Sequence, residues 1–362
     1  MRLPRVKPAH NPVRLPDGTI HLGGPLYGVA AQLDDTDGTV WRLIGLLDGA
    51  RELDAVVAEI GRTDPDLDER SIRDSVATLI EMGFVEDAGA PVPATLSAAE
   101  IDRYASSARY FSWTDTAPRP SPYEHQRLLK QSTVTVLGLG GTGGAAAMSL
   151  AAVGVGALRC VDFDVVEPGN LNRQILYDED DVGVPKVEAA LRRLRRMNRH
   201  VDVSGTRLRV GSVEDLAPLM DADMFLLCAD APHPEIELWT NEAALRTRTP
   251  WILAQYVGPL TLTGLFLPHR TPCFRCAAEK YPNLIGGPEA VGLQSLYRTP
   301  VQAVIAPSAV LSGQIAALEA VYHLTGMPTQ TAGRIFRQNL VVYDTSFFVD
   351  LEFWPDCPDC GG

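Results

Sequence analysis

Apolar residues recur at helical spacing in three successive stretches near the start of the chain. They are Val40, Leu43, Ile44 and Leu47; Leu53, Val56, Val57 and Ile60; and Ile72, Val76, Leu79 and Ile80. Each set falls on one face of a 3.6-residue helix. "LDGA" and "RTDPDLDE" break the three apart, and Gly83 closes the last, with "FVEDAG" behind it as a strand. Ahead of them, residues 10–35 carry short alternating pieces around Asp17-Gly18, a hairpin turn. Small strands, three short helices and a final strand predict a small winged-helix-like α+β domain over residues 1–88. Residues 89–131 read as a linker and lead-in, beginning with the Pro- and Ala-rich "GAPVPATLSAAE".

From residue 132 the pattern changes. "TVTVLGL", "ALRCVDFD", "VDVSGTRLRV", "DMFLLCAD" and "WILAQYV" read as strands, alternating with helical patterns at 141–154, 186–199, 213–220 and 234–247. This alternation predicts an α/β domain over 132–362, a Rossmann-like, mostly parallel sheet covered on both faces. A β-rich piece ("LTGLFLP"), a loop around 278–300, a helix at 308–325 and a strand at "NLVVYDT" complete it.

Composition narrows the class. The 362 residues are 46% apolar and carry a net charge of -13. The acidic balance argues against affinity for nucleic acid or an anionic membrane. The N-terminal "MRLPRVKPAHNP" lacks the apolar core of a signal peptide, so a cytoplasmic location is expected. There, six cysteines do not make a disulfide framework. Four of them form two C-x-x-C pairs, Cys273/Cys276 and Cys357/Cys360, able to close one tetrahedral, structural Zn²⁺ site. The other two, Cys160 and Cys228, sit in expected strands as small buried apolar groups.

Candidate chemistry begins at "VLGLGGTGGA". Gly138, Gly140, Gly141 and Gly143 form G-x-G-G-x-G between a strand and a helix, where backbone and helix N-terminus meet a phosphate. Asp162, at the end of the next strand, is placed for a ribose hydroxyl. Alone, these residues say "adenosine phosphate" and leave nicotinamide, flavin and ATP open. Asn170, Asn172, Arg173 and Gln174, followed by Lys186 at a helix start, favour an enzyme that splits ATP, because cations stabilise charge on departing phosphates. Asp230, at a strand tip, is suited to Mg²⁺.

This set resembles the ubiquitin-activating-type adenylyltransferases, the ThiF, MoeB and MccB superfamily, over roughly residues 130–360. The glycine loop matches Gly138 to Gly143, the ribose aspartate Asp162, the N-L-x-R-Q motif Asn170, Leu171, Arg173 and Gln174, the P-K pair Pro185 and Lys186, and the Mg²⁺ aspartate Asp230. The resemblance implies that a C-terminal carboxylate attacks the α-phosphate of ATP, in a homodimer. Members that transfer sulfur or a ubiquitin-like protein carry a cysteine between the zinc pairs, and residues 277–356 contain none. MccB-like enzymes, which adenylate a peptide without it, are the nearer comparison. The family's R-Y-x-R-Q arginine also has no direct counterpart: after Arg103-Tyr104 and Arg109-Tyr110 its place falls on Ser106 or Ser112.

The N-terminal module resembles the PqqD-like elements that bind the leader of a ribosomally made peptide as an added strand. That implies a groove between the strands near Val13–Leu22 and the helix Ile72–Met82, with Val76 and Ile80 in it and Arg14 and Arg73 meeting acidic leader residues. The cluster "RRLRR" (192–196) reads as a solvated helix face. The expected function is adenylation of the C-terminal carboxylate or amide of a precursor peptide, with a downstream modification enzyme as a further partner. A non-catalytic leader-binding scaffold and a sulfur-carrier-activating enzyme remain alternatives.

Overall fold

The computed structural model describes residues 1–24, 28–280 and 303–361. The loop expected around 278–300 lies, from residue 281 onward, outside the described residues. The chain divides into two compact units, Met1–Leu128 and Leu129–Gly362.

The first unit holds β1 (Pro4–Val6), β2 (Val13–Arg14), β3 (Ile20–Leu22), β4 (Ala31–Leu33), α1 (Thr39–Leu46), α2 (Leu53–Thr63), α3 (Glu69–Glu81) and β5 (Val85–Asp87). The Asp17-Gly18 turn joins β2 to β3, with Gly18 at φ +91°. Strands β2, β3 and β4 form one small sheet, and β1 pairs with β5 in another. The three helical stripes bury the faces their spacing implies: Leu43, Ile44, Val56, Ile60, Ile72, Val76 and Leu79 join Ile20, Leu22 and Phe84 in one core. Each such side chain contributes roughly 1.5–3 kcal/mol on burial. Asp68 starts α3 by accepting the Ser71 amide. The stretch read as linker and lead-in is helical from residue 98: α4 (Ala98–Arg103), α5 (Ala105–Thr114) and α6 (Glu124–Gln131). Ser97 and Glu100 form the capping box that starts α4.

The second unit is built on β6 (Thr133–Leu137), α7 (Gly141–Val153), β7 (Ala157–Asp162), α8 (Lys186–Met197), β8 (Asp202–Arg207), α9 (Val213–Leu216), β9 (Met224–Leu227), α10 (Glu235–Thr247), β10 (Trp251–Val257), β11 (Leu260–Phe266), α11 (Phe274–Lys280), α12 (Ala306–Thr325), β12 (Arg334–Asn339) and β13 (Phe347–Asp350). One eight-stranded sheet runs β13-β12-β11-β10-β9-β6-β7-β8. From β10 to β8 every pairing is parallel; β11, β12 and β13 extend the sheet antiparallel. The order places β6 between β9 and β7, so the chain reverses direction across the sheet beside the glycine turn, where α/β sheets hold ligands.

The strand expected at "NLVVYDT" is displaced. The pairing strand is Arg334–Asn339, and the apolar run after it lies in the open, with Val341 74% and Tyr343 71% exposed. Asn339 explains the change: its side-chain oxygen accepts the amides of Val341 and Val342 and turns the chain out of the ladder.

Candidate functional site

The turn after β6 is held from three sides. The Gly138 amide donates to the Val161 carbonyl, the Leu139 amide to Asp162 Oδ2 at 2.6 Å, and the buried Tyr177 hydroxyl to the Leu139 carbonyl at 2.9 Å. Burial, reinforced by the charge of Asp162, raises the Tyr177 phenol far above its ordinary value, so it stays a donor. Asp162 also accepts the Asp164 amide through Oδ1. The acid expected at the ribose thus fixes the loop as well, with a second lone pair left on each oxygen.

The four glycines have different reasons. At Gly138, φ is +90° and a Cβ would lie 2.6 Å from the Ala229 nitrogen; at Gly143 it would lie 1.8 Å from the Gly138 carbonyl; at Gly141, 2.6 Å from Ala309 Cβ. Close packing of strand, helix and α12 accounts for these three. At Gly140 nothing stands nearer than the Gln174 side-chain nitrogen at 3.8 Å. Protein packing leaves that position open, as a ligand's close approach requires. Two buried polar atoms near the turn also have no partner, Gln174 Oε1 and Thr142 Oγ1, and suit a polar nucleotide. Gly140→Ala is therefore expected to fold with an unchanged melting temperature and to bind ATP at least about tenfold more weakly. Gly143→Ala is expected to fail to fold. Calorimetric titration with ATP beside thermal unfolding checks the pair.

The cations gather at the same edge. Lys186, the first residue of α8, is buried and pairs with Asp164 at 3.1 Å. Arg173 donates to the Gly169 carbonyl and to Asn172 Oδ1, and its own carbonyl lies 3.0 Å from where a Cβ on Gly141 would be. Asn170 is buried and caps its own turn by accepting the Glu167 amide. Asp230 is exposed, three residues past the end of β9. Tyr256, near the end of β10, joins these groups. Burial raises its phenol, the charge and hydrogen bond of Arg173 pull it down, and the charge of Asp230 pushes it up. The structure thus brings Arg173 and Asp230 together around a tyrosine whose only sequence signal is an aromatic among strand residues.

Cysteine geometry separates two roles. Cys160 and Cys228 are pushed up to about 12 by burial alone, far from a thiolate. The other four converge, their sulfurs all within 4.8 Å of one another. Cys273–Cys276, Cys273–Cys357 and Cys276–Cys360 are 3.8, 3.7 and 3.5 Å apart. Four sulfurs about 2.3 Å from one tetrahedral centre lie about 3.8 Å apart, so the donor set fits Zn²⁺. Around it, the Trp354 amide donates to Cys276, and Asp359 accepts from Asn241 and pairs with Arg275.

In the N-terminal unit the expected groove residues part company. Val76 is in the core, 1% exposed, in one cluster with Ile20, Leu22 and Phe84. Arg14 is engaged with Asp35, and Arg73 pairs with Asp54 and Glu69 within its own helical layer. Ile80 lines a cleft. Ser106 accepts from Arg109, and the Ser112 hydroxyl is buried without a partner.

A glycine turn at the strand-order reversal, an acid at the next strand end, Lys186 paired with Asp164, and Arg173 and Asp230 near Tyr256 are the arrangement expected of an ATP-using α/β enzyme of the adenylyltransferase class. The ThiF family matches residues 115–358, and the chain belongs to that family. A sulfur carrier protein ThiS adenylyltransferase of Bacillus subtilis is 38% identical over 164 residues, 45% of this chain and 48% of the relative, so the chain spans about half of that protein. A molybdopterin-synthase adenylyltransferase of Escherichia coli is 32% identical over 247 residues, 66% of this chain and 91% of the relative. The crystal structure of E. coli MccB with AMPCPP and selenomethionine MccA has a TM-score of 0.79 at 22% identity, with all of both chains covered. Among the described residues no helix is long and apolar enough to cross a membrane.

Proposed function

We propose that the chain activates the C-terminal carboxylate or amide of a ribosomally made precursor peptide as an acyl-adenylate. In the carboxylate case, an oxygen attacks the α-phosphorus of ATP, the new O–P bond forms, and the α–β bridge bond breaks to release pyrophosphate. Arg173 and Lys186 stabilise the charge that builds on the phosphates, Asp162 positions the ribose, and Asp230 would hold Mg²⁺, which would supply positive charge for the pyrophosphate. Cys273, Cys276, Cys357 and Cys360 hold a structural Zn²⁺. The working assembly is a homodimer, and the N-terminal unit, PqqD-like in this reading, recognises the leader.

The observation that carries this reading is coverage. The likeness to MccB runs through the N-terminal unit as well as the adenylation unit, whereas the molybdopterin-synthase relative covers 66% of the chain. The missing cysteine in 277–356 points the same way. Sulfur-carrier activation is the second reading, supported by the names of the relatives at 38% and 32% identity. Pyrophosphate exchange into ATP separates them. Exchange stimulated by synthetic peptides with free C-termini, and not by a carrier protein ending in Gly-Gly, supports the first; the reverse pattern overturns it.

A further inference from the structure

We propose that the cleft over Lys7 in the N-terminal unit is an anchoring subsite for a carboxylate side chain, aspartate or glutamate, of the bound peptide. This rests on the peptide reading above. The cleft has a volume of about 50 Å³, and at roughly 10–15 Å³ per water that is room for a group of three or four heavy atoms. Ile80, Val85, Phe111, Pro118 and Pro122 give it apolar walls suited to the methylenes of a side chain.

Its charged lining is Glu86, Asp87 and Asp115 with Lys7 and Arg119. Asp115, buried on the floor, accepts His125 Nε2 at 2.7 Å and Arg119 Nε at 2.6 Å through one oxygen and the Ala117 amide at 2.9 Å through the other. Burial alone would raise this carboxyl; the hydrogen bonds outweigh it and hold the group at about 2. Glu86 is taken by Arg5, and Asp87 accepts three backbone amides. Every acid lining the cleft is thus engaged. Lys7 is not matched in the same way. It is 7% exposed, and its ammonium donates to the Asp115 carbonyl at 2.7 Å, one bond for three N–H groups. Ser112, also lining the cleft, has a hydroxyl shielded from water with no partner. A buried cation with spare donors and a buried spare hydroxyl, at the end of an apolar slot, describe a site for an acceptor with negative charge. Burial also lowers the Lys7 amine from its ordinary value, with Asp115 and Glu86 pulling it up and Arg119 down, so a further anion would favour its charged form.

The probes are N-acetylglutamate N-methylamide and N-acetylglutamine N-methylamide, alike in shape and different in charge. Each is titrated into the intact chain by ligand-observed NMR. The glutamate probe is expected to bind at roughly millimolar strength and the glutamine probe at least about tenfold more weakly. Lys7→Met is expected to abolish that preference, and Ser112→Ala, which removes only a hydroxyl, to weaken the glutamate probe several-fold. Equal binding of the two probes, or a preference untouched in both variants, overturns the proposal. The titration involves no ATP. A failure of peptide-stimulated exchange therefore refutes the functional reading and leaves this result standing, and the converse also holds.

Discussion

Alanine at Asp230 is expected to bring peptide-stimulated pyrophosphate exchange into ATP down to background at any Mg²⁺ concentration, with the melting temperature unchanged. The two halves of that expectation have separate causes. Asp230 is exposed, beyond the end of β9, in a segment that is not part of the sheet core. Surface replacements of that kind usually change stability by no more than about 0.5 kcal/mol. Its surroundings are those of the proposed site: the turn at Gly138 packs on Ala229, and Asp230 shares the field around Tyr256 with Arg173. In the proposed reading, removing the carboxylate removes the protein's hold on Mg²⁺ and leaves the cations in place. Arg173→Ala tests the other side of the same event. If the guanidinium stabilises charge only as it develops, the loss falls on kcat, by roughly 10²–10³-fold. Arg173→Lys should recover little of it, since an ammonium cannot reproduce the planar fork. Exchange at the wild-type rate in Asp230→Ala would remove the residue from the mechanism.

Zinc carries the second large effect. Protein purified without chelator is expected to contain one Zn²⁺ per chain, and Cys357→Ser or stripping with a strong chelator should lower the melting temperature by roughly 10 °C or more. Binding at thiolate sites contributes on the order of 10 kcal/mol to small folded domains, and each lost kcal/mol moves a unit of this size by about 2–4 °C. Without a cation the sulfurs stay protonated: burial, with neighbouring sulfurs adding to it, raises the Cys273 thiol well above its ordinary value, and Cys276 is pushed up to about 11. The site also fastens the last residues of the chain to the start of α11 and to Asn241 on α10. Elemental analysis with calorimetry checks both numbers; protein free of metal yet equally stable would refute the assignment.

Much of this was legible in the sequence because it is local. Period-2 and period-3.6 patterns located the parallel strands and their helices, and "WILAQYV" coincides with β10 residue for residue. The glycine turn was visible because backbone geometry at Gly138 admits little else. What escaped depends on side chains meeting across the fold. Tyr256 reads as one more strand aromatic until β10 brings it beside Arg173. Val76 reads as a groove residue because a helical stripe does not say which part of itself is covered by β3 and Phe84. The run at Asn339–Thr345 has strand-like residues, and a single side-chain cap redirects it. Lys7 was silent, because nothing in "RVKPAH" announces a lysine held under the backbone of residue 115.

The contact between α7 and α12 has a thermodynamic consequence. A Cβ at Gly313 would meet the Thr142 carbonyl at 2.2 Å, and one at Gly141 would lie 2.6 Å from Ala309 Cβ. The two helices therefore touch backbone to backbone beside the glycine turn, and through Ser149 and Gln314 further along. The entropy of immobilising that turn is lost when the protein folds, not when ATP arrives. In the proposed reading, nucleotide affinity is thereby tied to a helix more than 160 residues away in sequence, where a methyl group added at Gly313 would first have to push the two backbones apart.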